Sequence, residues 1–321
     1  MTTPPEIQPD HAATADRVCA IVVTFFPDPG TLRKLVADTV PQTDALVIVD
    51  NGASDDAFAG FRSRVENDKV VILKQPGNIG VAAAFNRGIA WASARGFSHV
   101  LLLDQDSEPA PGMVDTLMRA FTHFHAGRKV AAVGPRFHDA REDRYAPFVR
   151  IGFPLNRKMY DSGKEGLVAC DFLISSGSLI SLAALIDIGP MDENLFIDNV
   201  DLEWCFRASA KGYALVGVST AAMHHRLGRD RQRLPFGLGR VKVHDPLRLY
   251  YIMRNRLLLY RLPHTPAVWI AQDMPRAAVK FLLFSLLIPP RLQNARFMLT
   301  GLRDGLLGRS GPYVENWGRK R

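Results

Sequence analysis

The stretch Val100-Leu101-Leu102-Leu103-Asp104-Gln105-Asp106 decides how the rest of this chain is read. Four consecutive apolar residues read as a strand buried on both faces, the pattern of a parallel sheet. Ligands of open α/β sheets bind outside the carboxyl ends of strands. The acidic triplet follows such an end, so Asp104 and Asp106 fall on irregular backbone at that edge. Two carboxylates one residue apart can share a hard divalent cation, and such a cation can bridge to a diphosphate. A solvated acidic turn has the same composition, so the rest of the chain has to discriminate.

On the amino-terminal side the pattern repeats. Cys19–Phe25 and Ala45–Val49 are apolar runs that end in Phe26-Pro27-Asp28-Pro29-Gly30 and Asp50-Asn51-Gly52. Val70–Leu73 is a third run. Helices are expected over 31–40, with Thr31 as N-cap, over 56–65, and from Gly77-Asn78-Ile79-Gly80 through Ala94. Strands alternating with helices imply right-handed crossovers and a mostly parallel sheet. Beyond the triplet, a helix over 113–125, a strand over 130–133, a short helix over 202–211 and a strand over 214–218 continue the scheme. Residues 137–165 lack periodicity and read as an excursion. Helices at about 246–262 and 266–287 close the pattern.

The composition is globular, with 47% hydrophobic and 22% charged residues among 321. Cys19, Cys170 and Cys205 lie far apart, which argues for a reducing compartment and against a disulfide scaffold. No secretory signal is visible, and the polar, proline-containing residues 1–17 are expected to be disordered. Charge is unevenly spread. The net charge is +8, yet residues 224–321 carry 19 Lys and Arg against five Asp and Glu. A basic tail on an acidic amino-terminal part suggests an anionic partner. The tail has no recognisable nucleic-acid reading module, so nucleic acid is disfavoured as that partner.

Four groups of residues carry candidate chemistry. Asp50, at a strand end, can accept from the ring N–H of uracil or thymine, or cap the next helix. Gly77–Gly80 and Asn86-Arg87-Gly88 flank a helix start where backbone can approach a ligand and Arg87 can meet a phosphate. No G-x-G-x-x-G or G-x-x-x-x-G-K-[ST] occurs, which disfavours a dehydrogenase or P-loop protein. Phe196–Arg207 holds Asp198, Asp201 and Glu203; Asp201 sits where a helix begins, as a cap or as a general base. Arg207 is spaced to pair with Glu203 at i, i+4. Met223-His224-His225-Arg226-Leu227-Gly228 offers an imidazole, a common ligand beside two carboxylates.

Together these segments resemble family 2 inverting glycosyltransferases of the GT-A fold, and most of all the bacterial dTDP-rhamnosyltransferases of surface-polysaccharide assembly. The resemblance runs from about Cys19 to Leu262 and rests on Ala20–Pro27, Val49–Asp55, Gly77–Gly88, Leu101–Asp106, Phe172–Ser181, Phe196–Arg207 and His225–Gly228. It implies an α/β catalytic domain over 18–228 and a basic helical extension over 229–321. It implies that Thr24, Phe26, Asp50, Asn78, Gly80, Asn86, Arg87 and Asp104 bind the nucleotide-sugar. Asp104, Asp106 and His225 would hold Mg2+ or Mn2+, with His224 as the alternative ligand. Asp201 would be the base, because Arg207 follows it by six residues and Phe196 precedes it by five. Val200 departs from the pattern, which usually has a carboxylate there, and leaves Asp198 as the alternative. Another UDP- or dTDP-hexose, or sugar-nucleotide binding without turnover, are the competing functions.

The tail then has a use. Val279–Ile288 is the most apolar segment and is shorter than the roughly 20 residues of a membrane span. It fits an interfacial helix with basic flanks, or equally a core helix. By the first reading the enzyme sits peripherally on the inner face of the cell membrane, on the cytoplasmic side. There its acceptor, a glycan or a polyprenyl-diphosphate-linked sugar, would be found.

Overall fold

A computed structural model describes residues 16–52, 68–124, 129–139, 144–160, 166–225, 231–233 and 240–314. The helix expected over 56–65 and most of the amino-terminal segment expected to be disordered lie outside the described residues.

Strands β1 (Val18–Thr24), β2 (Ala45–Asp50), β3 (Val70–Lys74) and β4 (His99–Asp104) lie parallel in the order β3-β2-β1-β4. After β5 (Ser107–Pro109) come β6 (Val130–Asp139), β7 (Arg144–Tyr145), the hairpin strands β8 (Phe148–Arg150) and β9 (Arg157–Met159), and β10 (Leu167–Cys170). Then follow β11 (Leu179–Ser181) and β12 (Ala214–His225). β11 is antiparallel to both β4 and β6, while β12 pairs parallel with β6. The carboxyl ends of β1, β2, β4, β6 and β12 therefore share one edge. Among the described residues the main sheet has ten strands, and β10 lies outermost on the β12 side. The chain then makes a small separate pair, β13 (Arg231–Arg233) with β14 (Arg240–Lys242).

Both faces of the sheet are buried, so its strands are continuously apolar rather than alternating. Cys19, Ile21 and Val47 pack on one side with Phe85, Trp204 and Phe206, while Ala20, Val22 and Leu46 pack on the other with Leu32, Leu35 and Leu117. Helices α1 (Pro29–Thr39), α2 (Val81–Ser93), α3 (Met113–His123), α4 (Leu182–Ile188) and α5 (Val200–Ala210) supply the covering faces. Gly88 of α2 is required by this packing, because a Cβ there would lie 2.4 Å from Cγ2 of Ile21.

Three expectations change. The N-cap of α1 is Asp28 rather than Thr31: its Oδ2 accepts from the backbone N–H of Thr31 at 2.7 Å and from its hydroxyl at 2.9 Å. Pro29, with φ fixed near the helical value, starts the helix earlier than the apolar period alone suggests. The excursion after residue 137 contains β7, β8 and β9, strands of two or three residues, too short to show a period. The carboxyl-terminal region holds three long helices rather than two: α6 (Pro246–Leu259), α7 (Ala267–Leu286) and α8 (Arg291–Leu306). Gly301 and Gly305 read as helix breakers, yet they let α8 lie directly on the backbone of α6. A Cβ at Gly301 would meet the Tyr250 carbonyl oxygen at 2.4 Å, and one at Gly305 the Arg254 oxygen at 2.9 Å.

Candidate active site

A cleft of about 570 Å³ opens along the shared carboxyl edge. Its walls come from the ends of β1 (Val23, Phe25), β2 (Asn51) and β4 (Asp104, Gln105, Asp106), the start of α2 (Asn78, Gly80, Val81), and the segments 174–176 and 196–201. Arg248, from α6, completes it.

The loops that meet here are tied to one another. Asn51 accepts from the backbone N–H of Ile79 at 2.8 Å and donates to Asn78 Oδ1 at 3.1 Å; Asn78 Oδ1 also accepts from Gly80 N–H at 3.0 Å. This clamp joins the end of β2 to the start of α2. Gln105 Oε1 accepts from Phe25 N–H at 2.7 Å, fastening the acidic turn to the end of β1. Beneath the turn, the hydroxyls of Ser107 and Ser176 lie 2.6 Å apart, and Ser107 accepts from the Asp104 N–H at 3.1 Å.

The acidic residues divide into two groups. Asp104 ends β4, Asp106 sits on the turn that follows, and both line the cleft. Pairing of β5 with β12 sets the backbone of His225 opposite Ser107, one residue from Asp106, and that of His224 opposite Glu108. Side chains alternate along a strand. The His224 ring packs edge-on to His138, with centroids 5.3 Å apart. Among the described residues no three His, Cys, Asp or Glu side chains form a ready metal cluster. The paired carboxylates nevertheless match the all-oxygen preference of Mg2+ and Mn2+.

Asp201 lines the far side, in the first turn of α5. Its Oδ1 accepts from the Leu202 N–H at 2.8 Å and its Oδ2 from the Ser175 N–H at 3.3 Å. Burial pushes its carboxyl above the usual aspartate range, the hydrogen bonds oppose this, and the charge of Asp198 adds to the rise. Asp198, the alternative base, is engaged differently: Arg248 donates to it from Nε at 3.0 Å and from Nη2 at 2.9 Å. Asp198 is thus occupied by a side-chain cation, whereas Asp201 is held, among the described residues, by backbone N–H groups alone.

The segment that carries these residues is bent sharply. Phe196, Asp198 and Asn199 all have positive φ, near 64°, which costs free energy that the surroundings must offset. Asn255 Nδ2 donates to the carbonyls of Leu195, Ile197 and Asp198 at 2.9, 2.7 and 2.9 Å, and Arg254 Nη2 to that of Leu195 at 3.0 Å. Both side chains are fully buried. Phe196 stacks on Tyr251 at 5.1 Å, and its carbonyl accepts from Val81 N–H at 2.7 Å. Thus α6 holds the Asp198–Asp201 segment, and the segment in turn meets α2.

Of the residues expected to bind a nucleotide-sugar, Asn78, Gly80 and Asp104 line the cleft. Asp50 and Thr24 are buried just behind it, and Phe26 is exposed beside the lining residue Phe25. Asn86 and Arg87 are not part of the lining. Asn86 instead holds the backbone of Met191, accepting from its N–H and donating to its carbonyl, and Arg87 is exposed on α2. Arg248, Arg254 and Asn255 were not anticipated. Their one local signal is a charged and an amide residue at the end of the apolar run Leu249–Met253.

A mixed α/β sheet of this order, covered by helices on both faces, is the GT-A fold of glycosyltransferases. The chain belongs to glycosyl transferase family 2, whose family model matches residues 20–188. It is 26% identical over 295 residues to the dTDP-rhamnosyl transferase RfbF of Shigella flexneri, covering 92% of this chain and 97% of that one. It is 27% identical over 193 residues to the polyprenol monophosphomannose synthase of Mycolicibacterium smegmatis, covering 59% of this chain and 69% of that one. Among solved structures it resembles GalNAc-T7 with UDP, GalNAc and Mn2+, with a TM-score of 0.57 at 12% identity. That match covers 91% of this chain and 56% of the other, and is a likeness of fold.

Proposed function

We propose that this protein transfers L-rhamnose from dTDP-L-rhamnose, with inversion, to a glycan or polyprenyl-diphosphate-linked acceptor of cell-surface polysaccharide synthesis. The observation that carries the reading is the opposition, in one cleft, of the Asp104/Asp106 turn and the partly desolvated carboxylate of Asp201. The choice of donor is supported by the likeness to a dTDP-rhamnosyl transferase over almost its whole length.

Asp104, Asp106 and His225 would hold Mg2+ or Mn2+, whose charge would offset that of the departing nucleoside diphosphate. Asp201 accepts the proton of the acceptor hydroxyl as its oxygen attacks the anomeric carbon. The new C–O bond forms on the face opposite the diphosphate, and the old C–O bond breaks with its electron pair leaving on the diphosphate. One displacement inverts the configuration and needs no covalent enzyme intermediate. A carboxylate with a raised pKa suits this task, since base strength rises with pKa.

The acceptor reading draws on the last two helices. Met274, Val279, Leu282 and Leu286 of α7 and Leu292, Leu299 and Leu306 of α8 are more than half exposed, while Phe284 and Ile288 are fully buried. The segment Val279–Ile288 thus has both a core face and an open apolar face. No helix among the described residues is long and apolar enough to cross a membrane. An open apolar face on a basic extension suits an anionic bilayer surface, where a lipid-linked acceptor is found.

Thermal denaturation with dTDP, UDP and GDP, each with Mn2+, tests the donor class. A rise in Tm largest with dTDP supports the reading, and no rise with any of the three counts against it.

A further inference from the structure

We propose that Arg248 is a diphosphate-binding residue of this cleft, taking the β-phosphate of the donor, and that Asp198 is the residue that aims it. The inference rests on the nucleotide-sugar reading given above. It begins from charge. Among the described residues, those lining the cleft include four carboxylates, of Asp104, Asp106, Asp198 and Asp201, and one cation, Arg248. A nucleoside diphosphate entering that cleft brings further negative charge, and this guanidinium is a countercharge that the described lining supplies.

The geometry is that of an oriented donor. Asp198 engages Nε and Nη2, the nitrogens of one edge of the guanidinium. A guanidinium has a second edge, formed by Nη1 and Nη2, which can hold two phosphate oxygens while the first stays paired. The side chain remains 44% exposed, so it is reachable from the cleft. Arg248 lines the same cleft as the Asp198–Asp201 segment and the Asp104–Asp106 turn, and the charges of Asp198 and Asp104 both act on it. A donor spanning those two elements would bring its sugar-side phosphate to this guanidinium.

The mounting is rigid on both sides. Leu249 and Tyr250, the next residues of α6, are fully buried, which fixes the backbone of Arg248. Asp198 is held by the Asn255 amide on its carbonyl and by its sharply bent backbone. A surface ion pair formed only for solubility needs neither support.

The test is calorimetric titration of the full-length protein with dTDP and with dTMP, each with Mn2+, for the wild type, R248A and R248M. The methionine variant keeps the packed aliphatic stem, and the Tm of each variant is read alongside. Loss of a charge-assisted hydrogen-bond pair predicts dTDP affinity about ten- to a hundredfold weaker in both variants, with dTMP affinity within about twofold of the wild type. Wild-type dTDP affinity in either folded variant overturns the inference. A parallel arm titrates farnesyl diphosphate, a short polyprenyl diphosphate. Loss confined to that ligand moves Arg248 to the acceptor side and overturns the donor assignment. If the wild type itself binds no nucleotide, the transferase reading falls first and the inference with it.

Discussion

Arg207 donates from Nε and Nη2 to the two carboxylate oxygens of Glu203, at 2.9 and 2.8 Å, one turn apart on α5. Glu203 is nearly completely buried and also receives His264 at 2.9 Å, while Arg207 continues to the carbonyls of Ile188 and Pro190. The arginine six residues after Asp201 therefore anchors α5 to the preceding loop and does not touch Asp201. R207A leaves a buried carboxylate with only His264. Removing one partner of a buried pair costs about 3–5 kcal/mol, and the remaining contact puts this case at the low end. Urea unfolding of wild type and R207A measures it, and unchanged stability would contradict this role.

A second prediction concerns Gly80. Its φ is +87°, and a Cβ there would meet the Phe196 ring at 2.6 Å and its carbonyl at 2.7 Å. G80A is expected to destabilise the fold by about 1–3 kcal/mol through strain and overpacking. Because Phe196 leads into the Asp198–Asp201 segment, turnover should fall by more than the loss of folded protein explains. Tm and specific activity, compared on the same preparation, separate the two effects.

A third prediction concerns Asp201 as the proposed base. D201N should lower turnover by about 10²–10⁴-fold while nucleotide binding persists. Asp201 accepts a proton only when ionised, so the rate rises with pH through its pKa. Burial, aided by the charge of Asp198, raises that pKa, so the rising limb lies above the ordinary aspartate value of about 3.9. D198N removes the added charge and releases the Arg248 cation beside the site, and both changes move the limb to lower pH. A limb unmoved in D198N would contradict the coupling.

A fourth prediction concerns the open apolar face of α7. Leu282 and Leu286 are 55% and 60% exposed. Replacing both by Glu should reduce co-sedimentation with anionic vesicles several-fold without lowering Tm, since neither is in the core. Equal co-sedimentation of wild type and variant would remove the membrane reading.

How much of this was readable in the sequence depends on the range of each contact. Val100–Asp106 and its sister runs were legible because a strand buried on both faces has no polar positions to confuse the pattern. The Glu203–Arg207 pair was legible because i, i+4 spacing on a helix is itself a contact rule. Arg248 meets Asp198 across 50 residues, and Asn255 meets Leu195 across 60. No local spacing reports such a pair, because it depends on how α6 is packed. α8 was missed for the opposite reason: Gly301 and Gly305 lower helix propensity locally and are repaid by close approach to α6. Asn86 looked like a ligand-facing residue and instead serves the Met191 backbone, since which way a helical side chain faces depends on its tertiary neighbours.

The most direct measurement is nucleoside-diphosphate release from a panel of UDP-, GDP- and dTDP-sugars, with Mg2+ or Mn2+ and then with EDTA. Release from dTDP-rhamnose above all others, abolished by EDTA and restored by added metal, is the predicted result. Absence of release from every donor in the presence of a polyprenyl-linked acceptor, or release unaffected by EDTA, would contradict the account.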